Sequence, residues 1–199
     1  MQKLLVATGN KGKIKEIQAL LAGLEVELVM PRDLGLEMEI EEDGATYEEN
    51  AGKKARAYSQ ACGLVALADD SGLEVDALGG EPGLYSARYS AKPGATDAER
   101  RAFLLEKLSN LPRPWTARFH ATIAVGTPDG QVRYAVGNCC GEIIPEERGA
   151  GGFGYDPIFF IPEMGRTMAE LSMDEKNRLS HRALAVKQAL PWLRELFNR

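Results

Sequence analysis

Apolar positions along the chain fall into two rhythms. Residues 3–8 are a short apolar run ending in a glycine, which predicts a buried strand. Ile14, Ile17, Leu20 and Leu21 then recur at helical spacing, so a helix follows. Residues 24–30 predict a second strand, stopped by Pro31. Further strand-like runs cover 65–68, 73–77, 117–126, 131–136 and 157–161. Pro128-Asp129-Gly130 marks a hairpin between two of them. Three capping pairs, Thr46 with Glu49, Thr96 with Glu99 and Ser172 with Glu175, open helices expected at about 46–61, 96–109 and 173–197. The last carries Leu179, Ala183, Val186, Leu190, Leu193 and Phe197 on one face, and Pro191 should kink or interrupt it. Strands alternating with helices, together with a hairpin, predict an α/β protein with a mixed sheet flanked by helices.

Composition narrows the chemistry. A chain of 199 residues is the size of one domain. The apolar run at the N-terminus is too short for a signal peptide, and no stretch approaches a membrane span, so a cytoplasmic protein with no membrane partner is expected. Three cysteines without CxxC spacing and only two histidines exclude a zinc site of cysteine and histidine. A working metal would need carboxylate oxygens, which points to magnesium or manganese. The net charge of −5 makes the chain a poor general binder of nucleic acid, although a local basic pocket can still take a small phosphorylated substrate.

Five segments carry candidate chemistry. In Ala7-Thr8-Gly9-Asn10-Lys11-Gly12-Lys13 a strand ends, a glycine turn follows and a helix begins; free amides at a helix start suit an anion, though an ordinary capped helix reads the same way. It is not a Walker loop. Glu41-Glu42-Asp43 is an acidic cluster, followed by Lys53 and Lys54 on the next helix; water or phosphate could face either. Asp69 and Asp70 sit where an apolar run ends. Neighbouring carboxylates repel each other, a divalent cation relieves the repulsion, and one acid can take a proton from water. Phe153, Gly154, Tyr155 and Asp156 form a glycine-rich turn whose aromatics suit either a base or the core. Lys176, His181 and Arg182 bring an unusual density of donors to the C-terminal segment.

Taken together, these segments resemble the inosine triphosphate pyrophosphatase family, which removes non-standard purine nucleotides. The matching stretches are ATGNKGK at 7–13, EEDGATYEENAGKKA at 41–55, ADDSGLEVDALGGEPGLYSARYS at 68–90, GGFGYDPIFF at 151–160 and AELSMDEKNRLSHRALA at 169–185. They run in one order over nearly the whole chain. Tyr47 stands where many relatives would carry Phe.

The resemblance implies an elongated two-lobed fold with a long mixed sheet and a cleft between the lobes. It also implies a homodimer, Mg2+ dependence, and hydrolysis of a nucleoside triphosphate such as ITP, dITP, XTP or dXTP to monophosphate and pyrophosphate. Asp70 would be the proton acceptor and a metal ligand, with Glu41 the second metal carboxylate. Thr8, Gly9, Asn10, Lys11, Gly12, Lys13, Lys54 and Ser71 would contact the triphosphate. Phe153, Gly154, Tyr155, Asp156, Lys176, His181 and Arg182 would form the nucleoside pocket. Alternatives are a pyrophosphatase for other modified nucleotides, a non-catalytic nucleotide sensor, and a hydrolase using Ser71 as nucleophile with His181.

Overall fold

In a computed structural model, which describes residues 1–197, twelve regular elements build a seven-stranded sheet flanked by helices. The first half of the chain gives β1 (Lys3–Val6), α1 (Lys11–Leu20), β2 (Glu27–Val29), α2 (Tyr47–Cys62), β3 (Val65–Val75) and α3 (Asp97–Leu108). The second half gives β4 (Trp115–Gly126), β5 (Val132–Ile143), β6 (Phe159–Ile161), β7 (Arg166–Thr167), α4 (Met173–Leu179) and α5 (His181–Phe197). The strand order is β2-β1-β3-β4-β5-β6-β7. β1 pairs in parallel with β2 and β3, whereas β5–β6 and β6–β7 are antiparallel, so the sheet is mixed as expected.

The capping pairs behave as read. Thr46, Thr96 and Ser172 each accept a hydrogen bond from the amide three residues on, which satisfies donors that a helix start leaves unpaired. At 127–131, Thr127 N–H donates to Gln131 O and Gly130 N–H to Thr127 O, closing the turn between the neighbouring strands β4 and β5.

Two expectations need correction. The strands expected at 65–68 and 73–77, with a polar turn between them, are one strand of eleven residues. Asp69 and Asp70 lie inside it, because each side chain finds cations on its own face and the ladder need not open. The single helix expected at 173–197 is two, α4 and α5, separated by Ser180 in an extended conformation (ψ 151°). Ser180 N–H closes α4 onto Lys176 O. Pro191 interrupts nothing: α5 runs through it to Phe197, held by Ala185, Val186, Ala189 and Leu193 in the core.

The chain forms two compact units whose boundaries fall inside β3, β4 and β5. The first comprises Met1–Asp70, Ala121–Gly137 and His181–Arg199. Side chains alternate across a strand, so β1 has two different faces. Leu4 and Val6 pack with Ile17 and Leu21 of α1 and with Val186 and Ala189 of α5. Leu5 and Ala7 pack on the other face, near Ala51, Ala55 and Tyr58 of α2. The second unit, Ser71–His120 and Asn138–Ser180, has its own core, including Leu104 and Leu108 of α3, Trp115, Phe119 and Phe159. Among the described residues no helix is long and apolar enough to cross a membrane.

Candidate active site

The alternation of β3 gives two adjacent acids different surroundings. Leu67 belongs to the α1–α5 face, and Asp69, two residues on, lies on the same side. Its carboxylate is fully enclosed. Lys13 of α1 forms an ion pair with Oδ1, and Arg182 of α5 donates from Nε to Oδ2 at 3.0 Å. Arg182 is 1% exposed, and its Nη1 lies 2.5 Å from Glu16 Oε2. Burial opposes ionisation of Asp69, but the charges of Arg182 and Lys13 outweigh it and hold the carboxyl well below the usual carboxylate range. Burial likewise disfavours the Arg182 cation, and Asp69 and Glu16 more than restore it.

Asp70 belongs to the opposite face, with Ala68 and α2. Its nearest cation is Lys54, whose Nζ is 3.8 Å from Asp70 Oδ1. That ammonium is shared: it donates to Glu42 Oε1 at 3.0 Å and to the Asp69 carbonyl at 2.8 Å. Asp70 Oδ2 is buried and has no hydrogen-bond partner among the described residues. Burial pushes the Asp70 carboxyl above its usual value; Lys54, Lys13 and an Asn50 hydrogen bond pull against this, and Glu42 adds to it.

The loop after β1 is ordered by its own side chains. Thr8 Oγ1 accepts from Asn10 N–H at 3.2 Å, and Asn10 caps α1 by accepting from Lys13 N–H at 3.1 Å. A side chain added at Gly9 would meet no atom within 4 Å, so open space lies over the loop. Lys11 is exposed and sits on a different side of α1 from Lys13.

In the second unit, Asp156 organises the glycine-rich segment. Its Oδ2 accepts from Phe153 N–H at 3.0 Å and from Lys176 Nζ at 2.9 Å. Gly152 has φ +73°, and a Cβ there would come within 2.0 Å of that same oxygen, so only glycine fits. Lys176 Nζ is 5.9 Å from the centre of the Phe153 ring. Gly154 is clamped by α3: its N–H donates to Asp97 Oδ2 at 2.7 Å, and Arg101 donates to its carbonyl at 2.8 Å. Tyr155 is buried, its hydroxyl donating to Ser86 O at 2.9 Å.

The structure thus assembles the expected residues in two groups. Lys13, Lys54, Asp69, Asp70 and Arg182 meet in the first unit; Phe153, Asp156 and Lys176 meet in the second. His181 is buried at the start of α5, in the first unit, and Ser71 follows Asp70 on β3 at the start of the second. Glu41 is exposed, and the charge it is felt by is Lys53. Glu16, Glu42, Asn50, Asp97 and Arg101 were not expected at the site. Glu16 had one available signal, a charge beside Ile17 on the helix stripe; Glu42 lay in the acidic cluster and Asn50 in the matching stretch 41–55, and nothing in the sequence marks Asp97 or Arg101.

The Asp70 carboxylate has the chemistry of a magnesium ligand. Among the described residues no cluster of three or more His, Cys, Asp or Glu is arranged to hold a metal. Magnesium, however, is commonly held by one or two carboxylates, with waters and substrate phosphates supplying the rest. Asp70, with a buried oxygen lacking any donor, has the character such an ion requires.

Ammonium groups around an under-neutralised acid, beside a strand–turn–helix loop in a mixed α/β sheet, define a protein that handles phosphorylated small molecules. Comparison with known proteins makes this specific. The Ham1 family model matches residues 4–192, and the chain belongs to the Ham1 family. It is 50% identical to the dITP/XTP pyrophosphatase of Geobacter sulfurreducens, covering 96% of this chain and 98% of that one. It is 47% identical to the enzyme of that name from Desulforamulus reducens, covering 98% and 97%. Among solved structures, a HAM1 protein from Coxiella burnetii is 42% identical, with a TM-score of 0.88 over 98% of this chain and 100% of that one.

Proposed function

We propose that this protein hydrolyses non-standard purine nucleoside triphosphates, dITP, ITP, XTP and dXTP among them, to the monophosphate and pyrophosphate. The observation that carries the chemistry is Asp70: a buried carboxylate with one oxygen unpaired, beside Lys54 and one residue from a neutralised twin. The substrate class rests on the relatives' shared name and their identity over nearly the whole chain.

In this reading the backbone of 8–13 and the ammonium groups of Lys13 and Lys54 offset the triphosphate charge, and Ser71 adds a contact. Asp70 orients a water toward the α-phosphorus and accepts its proton. The bond from that phosphorus to the bridging oxygen breaks, and its electron pair leaves with pyrophosphate. Such transfers depend on positioning and charge stabilisation more than on covalent chemistry. Magnesium held by Asp70 and Glu41 would supply Lewis-acid neutralisation of the phosphate oxygens. Glu42 is already engaged by Lys54; among the described residues Glu41 forms no ion pair.

Phe153 stacks on the base, with Lys176 and Asp156 fixing its approach. Donors at the base would favour a 6-oxo purine over the 6-amino group of adenine. Arg182 is held in one orientation by Asp69 and Glu16. A cytoplasmic setting and a homodimer are part of the proposal, the latter checked by light scattering. The deciding experiment is a nucleotide panel with and without magnesium, with products identified. Pyrophosphate from ITP and dITP, with ATP turned over far more slowly, is the expected result. Release of single phosphates, or equal rates for ITP and ATP, would overturn the reading.

A further inference from the structure

A second cationic site lies on the far side of α1 from Lys13. A groove of about 380 Å³ opens beside the carboxyl ends of β1 and β2. Its place follows from the topology. The connection from β1 to β2 runs through α1, on the face of Leu4 and Val6; that from β2 to β3 runs through α2, on the face of Leu5 and Ala7. In the order β2-β1-β3 the strand order reverses at β1, and α/β sheets bind ligands outside the carboxyl ends of the strands near such a reversal. Thr8 and Gly9 after β1, and Met30 and Pro31 after β2, form its two sides.

The lining has a definite chemistry. Lys11 and Lys15, one helical turn apart on α1, and Arg32 after β2 supply three cations. Among the described residues no acid lines the groove, in a chain whose net charge is −5. Lys11 and Lys15 form no ion pair among those residues. The acid nearest Arg32 is Asp33, at 3.7 Å between well-exposed groups, and its other oxygen already accepts from Met30 N–H at 2.8 Å. Between the cations lie Ile14, Met30, Leu36 and the Tyr58 ring, whose hydroxyl is tied to Met38 O at 2.8 Å. Cations at the rim and an apolar, aromatic wall suit a ligand with a phosphate at one end and a flat body at the other.

We propose that this groove binds a mononucleotide, at a site separate from the reacting centre. The two differ in their strand neighbours: Lys13 reaches Asp69 on β3, on one side of β1, whereas the groove lies toward β2 on the other. They share Thr8, Gly9 and Lys11, so an occupant of the groove abuts the loop proposed to hold the triphosphate. The site does not depend on the assignment of hydrolysis to Asp70.

The test is a titration of the full-length protein with AMP, adenosine and inorganic phosphate, followed by backbone amide NMR shifts. AMP should give saturable shifts at Lys15, Arg32 and Leu36, weakening as salt is raised; adenosine and phosphate should each bind more weakly. The Lys15→Glu/Arg32→Glu variant changes two exposed side chains outside the proposed catalytic machinery. It should lose AMP affinity by about tenfold or more at those amides while turning over dITP normally. Unsaturable or absent shifts at the three amides, or unchanged affinity in a folded double variant, would overturn the proposal. So would shifts confined to Asp70 and Lys54, which would place AMP at the reacting centre alone.

Discussion

Asp69 and Asp70 are the same residue type, one peptide bond apart on β3, yet the fold treats them oppositely. Asp69 faces α1 and α5, where a lysine and a fully buried arginine neutralise it, and it stays ionised. Asp70 faces α2, where one lysine is divided among three acceptors, and burial raises its proton affinity. Strand alternation separates a carboxylate neutralised on one face from one left short of positive charge on the other.

Breaking the neutralised side should cost most in stability. Asp69→Asn strands the Arg182 and Lys13 charges in the interior and should destabilise by about 3–5 kcal/mol in urea unfolding at neutral pH. The sign of its pH dependence is fixed. A carboxyl depressed in the folded state stabilises above its unfolded value and loses that contribution as pH falls, so the gap between wild type and variant should narrow below about pH 4. Arg182→Lys keeps the charge but cannot bridge two acids with a planar fork; leaving Glu16 underpaired should cost about 2 kcal/mol in the same assay. In the second unit, Phe153→Leu should lower kcat/KM for dITP by about tenfold while the melting temperature changes little, since stacking on a base is worth roughly 1–3 kcal/mol. The smallest effect separates two neighbouring acids. Glu41→Gln should raise the magnesium needed for half-maximal rate roughly fivefold, and Glu42→Gln, which frees Lys54, should leave that requirement near wild type.

Local signals were readable in the sequence. Thr46, Thr96 and Ser172 cap helices within a residue of their expected starts, and the turn at 127–131 closes the hairpin. The long β3 was not readable, because Asp-Asp-Ser-Gly has the composition of a turn. What keeps it extended is cations from Lys13, Lys54 and Arg182, brought in from distant parts of the chain. The break at Ser180 was hidden for a related reason: its neighbours keep helical spacing across it, and no proline or glycine marks the spot. The motif residues were legible as candidates, and the structure gathers them in two groups. Their supports were not legible, since Glu16, Asn50 and the Asp97–Arg101 clamp act through tertiary contacts that no spacing records.

The division of labour on β3 is tested most directly by Asp70→Asn, assayed for pyrophosphate release from dITP and for thermal melting in the same preparation. Release should fall by about 10²–10⁴-fold, the usual worth of a positioned proton acceptor, with no drop in melting temperature because a poorly compensated buried charge has been removed. A variant that still releases pyrophosphate at the wild-type rate, or one that loses activity only because it unfolds, would contradict the account.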